Sequence, residues 1–228
     1  MKAIVFDTGP LITLTLNHLM WILEPLKKRF KGKFYITNGV RYELIDRPLE
    51  INKFKFEALH SLHYVNKGTI NIYPDKRYEA LTNTLMDLIN SIFSAHHKHI
   101  QIVHKGEIET LALANQIGAD AIAVDERTTI KLIEDPSDIK RTLEKKLHTK
   151  IHVDRKKLNE LKRYTDLKVI RSVGFAIAAY ELGLLDHLLP REHFDKGILL
   201  DAVLWGLKLN GCAISQKEIE ELIKLEIK

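Results

Sequence analysis

The chain of 228 residues has one cysteine, Cys212. That excludes an intrachain disulfide and fits a reducing compartment. No uncharged apolar run reaches the roughly 18 residues that a membrane helix needs, so no membrane partner is expected. Neither GxGxxG nor GxxxxGK[ST] occurs, which excludes nucleotide-cofactor enzymes built on a glycine-rich phosphate loop. Internal repeats and low-complexity linkers are also missing. At this length the chain is therefore expected to be one large domain, or a core with an inserted element. The opening MKAIVFDTGP places an acid at residue 7, wrong for a secretory signal, and the expected location is cytoplasmic.

The composition that is present, 45% hydrophobic and 29% charged, is that of an ordinary globular protein able to bury a sizeable core. Its formal charge of +5 is unevenly spread. Residues 140–163 carry ten Lys/Arg against Glu144, Asp154 and Glu160, so this segment is +7 and the remainder −2. A basic stripe of this kind is the electrostatic footprint of a nucleic-acid binder, or else a solvated helix face. Lys140, Arg141, Lys145, Lys146, Arg155, Lys156 and Lys157 are its candidate contacts to nucleic acid, single-stranded or structured.

The patterning predicts an α/β fold: three α/β/α layers around a central, mostly parallel sheet. AIVF (3–6), KFYI (33–36), AIAV (121–124) and LKVI (167–170) are short apolar runs, as expected of buried parallel strands. Residues 69–73 (TINIY) read as a further strand. A helix is expected over 11–23 after Pro10. Another follows Thr37 and ends before Pro48. Residues 54–65 and 78–93 are helical by stripe. His96, His97, His99 and His104 follow without an HxxxH pair, and an exposed or stacking role is expected for them. Ile139, Leu143 and Leu147 predict an amphipathic helix, with a second around Leu158 and Leu161, so about 135–165 reads as a helical insertion. Ser172 is expected to cap the helix VGFAIAAYELG. A helical extension runs from about 186 to 228. In it 197–209 is apolar nearly all round and hence buried, and Ser215 with Glu218 forms a capping box. Ile219, Leu222, Ile223 and Ile227 then face inward. Nothing in this extension looks chemical.

The organising stretch is GEIETLALANQIGADAIAVDERTT (106–129). It reads as a helix, a cap at Gly118, a buried strand and a second helix start. In a parallel sheet, helix starts and strand ends share one edge, and ligands bind in the crevice there. Glu107, Asp125 and Glu126 reach that edge, as does Asp7 at the exit of the first strand. Glu43 flanks the apolar face of the helix after Thr37, where spacing alone points it to water. Glu109 is an alternative to Glu107. Four carboxylates together repel one another unless a cation sits among them, and all-oxygen sites suit Mg²⁺ or Mn²⁺. Such ions activate water and stabilise in-line attack at phosphorus. Beside a basic stripe, the reaction that fits is phosphodiester hydrolysis in nucleic acid. Plainer roles stand next to this one. Asp7 and Asp125 could cap helices, and Glu107 could be a first-turn acid favoured by the helix dipole.

At these residues the chain resembles the PIN-domain family of prokaryotic, metal-dependent ribonucleases, which includes toxins of toxin–antitoxin pairs. IVFDTGPLITL looks like the family's opening strand, TNGVRYELI like its second-acid helix, and GEIETLALANQIGADAIAVDE like its third-acid helix and following strand. VIRSVGFAIAAYELGLL and the two-helix tail look like a long, uncharacterised subgroup. Residues 50–100 and 135–165 lie outside the resemblance. It implies a single PIN-like domain over 1–228 and an endoribonuclease dependent on Mg²⁺ or Mn²⁺. Asp7, Glu43, Glu107 and Asp125 would be its catalytic metal-binding acids, with Glu126 an outer or alternate ligand. It also implies a homodimer and an antitoxin protein as partners.

Among rivals, VFDTG superficially resembles a haloacid-dehalogenase-type phosphatase. That chemistry needs a second Asp where Gly9 stands. A non-catalytic RNA-binding or partner-binding module would keep the fold, and so would a structural scaffold. Chelation separates these from the nuclease.

Overall fold

The opening strand β1 (Ala3–Phe6) is apolar and buried at every position because both of its faces are covered. Ala3 and Val5 enter one core and Ile4 and Phe6 the other, as the two-residue period of a strand requires. The structure is a computed structural model describing residues 2–189 and 196–226. From β1 the chain enters α1 (Thr8–Leu16) and α2 (Leu23–Phe30). The single helix expected over 11–23 is broken, because His18 adopts φ +56° and a short 3₁₀ turn, Met20–Ile22, separates the two. Strand β2 (Lys33–Ile36) leads into α3 (Asn38–Arg41), a widened π turn (Tyr42–Asp46) and α4 (Arg47–Glu50). Pro48 therefore does not stop this helix as expected. The π turn relieves the clash a proline makes with the preceding turn.

Helix α5 (Lys55–Asn66) follows, then β3 (Asn71–Ile72), shorter than TINIY, and α6 (Tyr78–Asn90). Phe93 is not helical. It begins β4 (Phe93–Ala95), which turns through His96 and His97 at φ +48° and +64° into β5 (Lys98–His99). The four histidines of this region are exposed. Next come α7 (Lys105–Ile117), ended by Gly118 at φ +57° as expected, β6 (Ala121–Ala123), α8 (Arg127–Glu134) and α9 (Pro136–Leu147). The insertion is not wholly helical. Between α9 and α10 (Arg155–Leu161) it contributes β7 (His152–Val153). β7 pairs antiparallel with β4, so the two stretches outside the family resemblance are joined in a small sheet of order β5-β4-β7.

Strand β8 (Lys168–Ile170) precedes α11 (Ser172–Glu181), and α12 (Lys196–Leu209) and α13 (Gln216–Glu226) complete the described chain. The main sheet has five strands in the order β3-β2-β1-β6-β8, parallel at each pairing. Ile4 is in register with Phe34 on one side and Ala121 on the other. One core holds residues of α1, α2, α5, α11, α12 and α13, and the other holds residues of α6 to α10. This is the expected three-layer α/β/α architecture.

Some burial differs from expectation. β8 is the sheet's edge and is only half-buried. Helix α12 is not buried all round, since Ile198 is 55% and Leu209 78% exposed. In α13 Ile219 is buried and Leu222 and Ile223 are partly so, while Ile227 lies outside the described residues. Among the described residues no helix is long and apolar enough to cross a membrane.

Candidate metal centre

Because the five strands are parallel, their exits share one edge, and the ladder persists to its rim. The Asp7 N–H donates to Ala123 O at 2.9 Å, and the Val124 N–H to Ile170 O at 2.9 Å. Asp7 and Asp125 therefore leave adjacent strands side by side. Gly9 lies between them: a Cβ built there would stand 3.4 Å from Asp125 Cβ and 3.7 Å from Asp7 Oδ2.

Asp7 precedes α1 in extended conformation, yet its side chain forms no cap hydrogen bond. It is 8% exposed. Burial raises its pKa from 3.8 to about 7. The backbone N–H groups of Thr8 and Gly9 oppose this rise, and the charges of Glu107 and Glu43 reinforce it. Those two causes place Glu43 and Glu107 within electrostatic reach of Asp7.

Glu43 is carried by the π turn, and its Oε2 accepts the Thr8 hydroxyl at 2.8 Å. It is exposed, as its spacing predicts, but this bond tethers it toward the edge. Its Oε1 stands 2.9 Å from where a Cβ on Gly106 would be, so the start of α7 abuts it. A small, partly enclosed apolar recess of about 60 Å³ is lined by Glu43 with Ile12, Leu44 and Phe54 among others.

Glu107 fills part of its plainer role. Its Oε2 accepts the His104 N–H at 2.9 Å in a capping box. Burial raises its pKa, with the His104 N–H opposing and Glu126 and Glu43 adding to the rise. Glu126, not Asp125, caps α8, accepting the Thr129 N–H at 2.6 Å.

Glu109 is turned elsewhere. It is 7% exposed and accepts the Gly39 N–H at 3.1 Å. Tyr78 Oη accepts from Asn38 N–H at 3.2 Å, and Thr37 Oγ1 from Val40 N–H at 3.1 Å. Three of the unpaired amides at the start of α3 are satisfied in this way. Glu109 thereby anchors the helical run that carries Glu43.

Asp125 is 2% exposed. Its Oδ1 accepts the Ser172 N–H at 2.7 Å and the Cys212 thiol at 3.3 Å. Its Oδ2 is buried with no partner among the described residues. Ser172 does not cap α11 as expected. Arg171 occupies the cap position, and Ser172 is the first helical residue, with its N–H given to Asp125. The C-terminal extension, which looked chemically silent, thus reaches the site through Cys212. Sequence spacing offers no signal for that contact, because the Asn210-Gly211 turn that delivers Cys212 reads as a helix stop.

The side chains brought to this edge have the donor chemistry that a hard divalent cation takes. The donors are all carboxylate oxygens, one buried oxygen lacks a partner among the described residues, and burial, with the charges of Glu107 and Glu43 adding to it, drives Asp7 toward its neutral form. Among the described residues no three His, Cys, Asp or Glu side chains are grouped closely enough to hold a metal ion as they stand. Glu43, Glu107 and Glu126 are each turned to a protein donor through one oxygen, leaving the other for a ligand.

The basic stripe is carried by α9 and α10. Lys145, Lys146, Arg155 and Lys156 are exposed and Lys157 half-exposed. Among the described residues these five cations form no ion pair. Lys140 and Arg141 pair locally with Glu144 and Asp138, at 3.7 and 3.2 Å. Lys140 and Arg155 line an open cleft of about 410 Å³ together with Lys150 and His152. Among the described residues no hydrogen bond or ion pair links the stripe to the five acids. Compared with known proteins, the chain matches no family model, no curated protein and no solved structure.

Proposed function

We propose that this chain is a Mg²⁺- or Mn²⁺-dependent endoribonuclease of PIN-domain type. The observation that carries the reading is the pairing of Asp7 and Asp125 across Gly9 at the exits of adjacent parallel strands. Glu43 and Glu107 add their charge to Asp7. Asp7, Glu43, Glu107 and Asp125 would hold the cation, with Glu126 as outer or alternate ligand. When bound, the cation supplies water activation and charge neutralisation at the phosphate. The chain's own residues do the rest. The Thr8 hydroxyl orients Glu43, the Ser172 N–H orients Asp125, and the cleft along α9 and α10 attracts the RNA backbone.

The resemblance also brings a protein partner into the proposal, a second copy or an antitoxin. Exposed Ile12, Tyr42, Phe54 and Phe56 are apolar surface that such a partner would cover.

A second reading, a non-catalytic RNA-binding module, is favoured by one observation: Glu43, Glu107 and Glu126 each already accept a protein hydrogen bond. The test is cleavage of mixed-sequence single-stranded RNA with Mn²⁺ and with EDTA. Cleavage confined to Mn²⁺ supports the nuclease, whereas tight binding indifferent to EDTA and without cleavage supports the module.

The stripe carries its own prediction. Changing Lys145, Lys146, Arg155 and Lys156 together to Gln should weaken RNA binding about tenfold or more at low salt. It should also lower the slope of log affinity against log salt by up to about 3. Fluorescence anisotropy over a salt series measures both, and an unchanged slope would mean these cations do not touch the RNA.

A further inference from the structure

Asp125 is gripped from two directions. Ser172, at the exit of β8, gives its N–H to Oδ1 at 2.7 Å. The corner after α12 supplies two more contacts. The Cys212 thiol donates to the same Oδ1 at 3.3 Å, and the Ala213 N–H donates to the Asp125 carbonyl at 3.1 Å.

That corner is itself tied down. Arg171 Nη1 donates to Ala213 O at 2.9 Å and to Glu218 Oε1 at 3.0 Å. Glu218 Oε2 accepts the Ser215 N–H at 2.8 Å, closing a capping box with Ser215 Oγ. A continuous path of hydrogen bonds thus runs from the start of α13 through Arg171 and Ala213 to Asp125. Cys212 is 4% exposed, so the contact between its thiol and Asp125 is shielded from water. With both lone-pair directions of Oδ1 taken, Oδ2 is the oxygen left without a partner. A buried unpaired carboxylate oxygen is costly, and a bound ion is one of the partners that satisfies it.

We propose that the Cys212–Glu218 corner of the C-terminal extension is a positioning element of the carboxylate site, holding Asp125 so that Oδ2 is the oxygen presented to a cation. This rests on the cation-site reading above. Cys212 touches no substrate. It acts through Asp125, as an outer hydrogen bond orients a metal ligand.

The experiment is calorimetric titration of the full chain with Mn²⁺, with near-UV circular dichroism of the cation-free protein as the folding control. Cys212→Ala, which removes the donor, is expected to weaken Mn²⁺ binding about tenfold. Cys212→Ser keeps a donor and should stay within about threefold of wild type. Arg171→Gln lies at the half-exposed end of the path and leaves the buried thiol in place. It is expected to weaken binding by about fivefold with the fold intact. Wild-type affinity in both Cys212→Ala and Arg171→Gln would overturn the proposal, as would equal losses in Cys212→Ala and Cys212→Ser, which mark a packing role. A wild-type chain that binds no Mn²⁺ gives a different pattern. It overturns the cation-site reading and this proposal with it.

Discussion

Asp7→Asn is expected to make the cation-free protein more stable at pH 8 while removing Mn²⁺ binding and RNA cleavage. The folded chain holds the Asp7 proton up to about pH 7, whereas the ordinary value is 3.8. Between these values the folded state binds more protons than the unfolded one, so stability falls as pH rises. The contribution is complete below about pH 4 and gone above about pH 7. The difference corresponds to roughly 4 kcal/mol. Local rearrangement would reduce what a neutral side chain recovers to about 1–3 kcal/mol, or about 3–8 °C in Tm for a chain of this size.

The same carboxylate should make cation binding pH-dependent, because the proton and the cation compete for it. Mn²⁺ affinity is expected to rise from pH 6 to pH 8 in wild type. Thermal unfolding of wild type and Asp7→Asn at pH 5 and pH 8, without and with Mn²⁺, measures all of this. The substitution should stabilise at pH 8 and be close to neutral at pH 5. Equal effects at both pH values would show that Asp7 does not carry the charge that strains the site.

The parts of this fold that the sequence displays are those decided locally. AIVF, the FYI of KFYI, and AIAV are apolar because both sheet faces are covered there, and each coincides with a strand to within a residue. Gly118 ends its helix, and Ser215 and Glu218 cap theirs, through contacts only a few residues apart. What the sequence hides depends on partners distant in the chain. The β4–β7 pairing joins residues about sixty positions apart and rests on strands of two or three residues, too short for a periodic signal. The run through Pro48 needs a π turn, which no residue pattern announces.

The candidate site divides along the same line. Asp7 and Asp125 follow from strand exits, a matter of topology. The Glu43 contact with Thr8 and the Cys212 contact with Asp125 cross 35 and 87 positions and are set only by packing. Position at the helix start ranks Glu107 above Glu109, but the contact that occupies Glu109, the Gly39 N–H, lies 70 positions away and is hidden from spacing.

Two glycines separate the site's scaffold from its ligands. A Cβ on Gly39 would collide with Glu109 Oε2, the oxygen that accepts the Gly39 N–H. That carboxylate is 7% exposed, so it cannot swing into water, and moving it leaves a buried amide and a buried charge short of partners. Gly39→Ala is therefore expected to cost about 2–3 kcal/mol. It should also loosen the run from α3 through the π turn, displacing Glu43 and weakening Mn²⁺ binding. A Cβ on Gly106 meets Glu43 Oε1 at 2.9 Å, the far end of a flexible and exposed side chain. Here the carboxyl can move aside. Gly106→Ala should leave stability within about 0.5 kcal/mol, since alanine suits the first turn of α7 better than glycine. It should still weaken Mn²⁺ binding severalfold by pushing Glu43 off the Thr8 hydroxyl. Denaturant unfolding and Mn²⁺ titration of the two variants separate these effects. If Gly106→Ala binds Mn²⁺ as wild type does, Glu43 is not a ligand, and the cation is left to Asp7, Glu107 and Asp125.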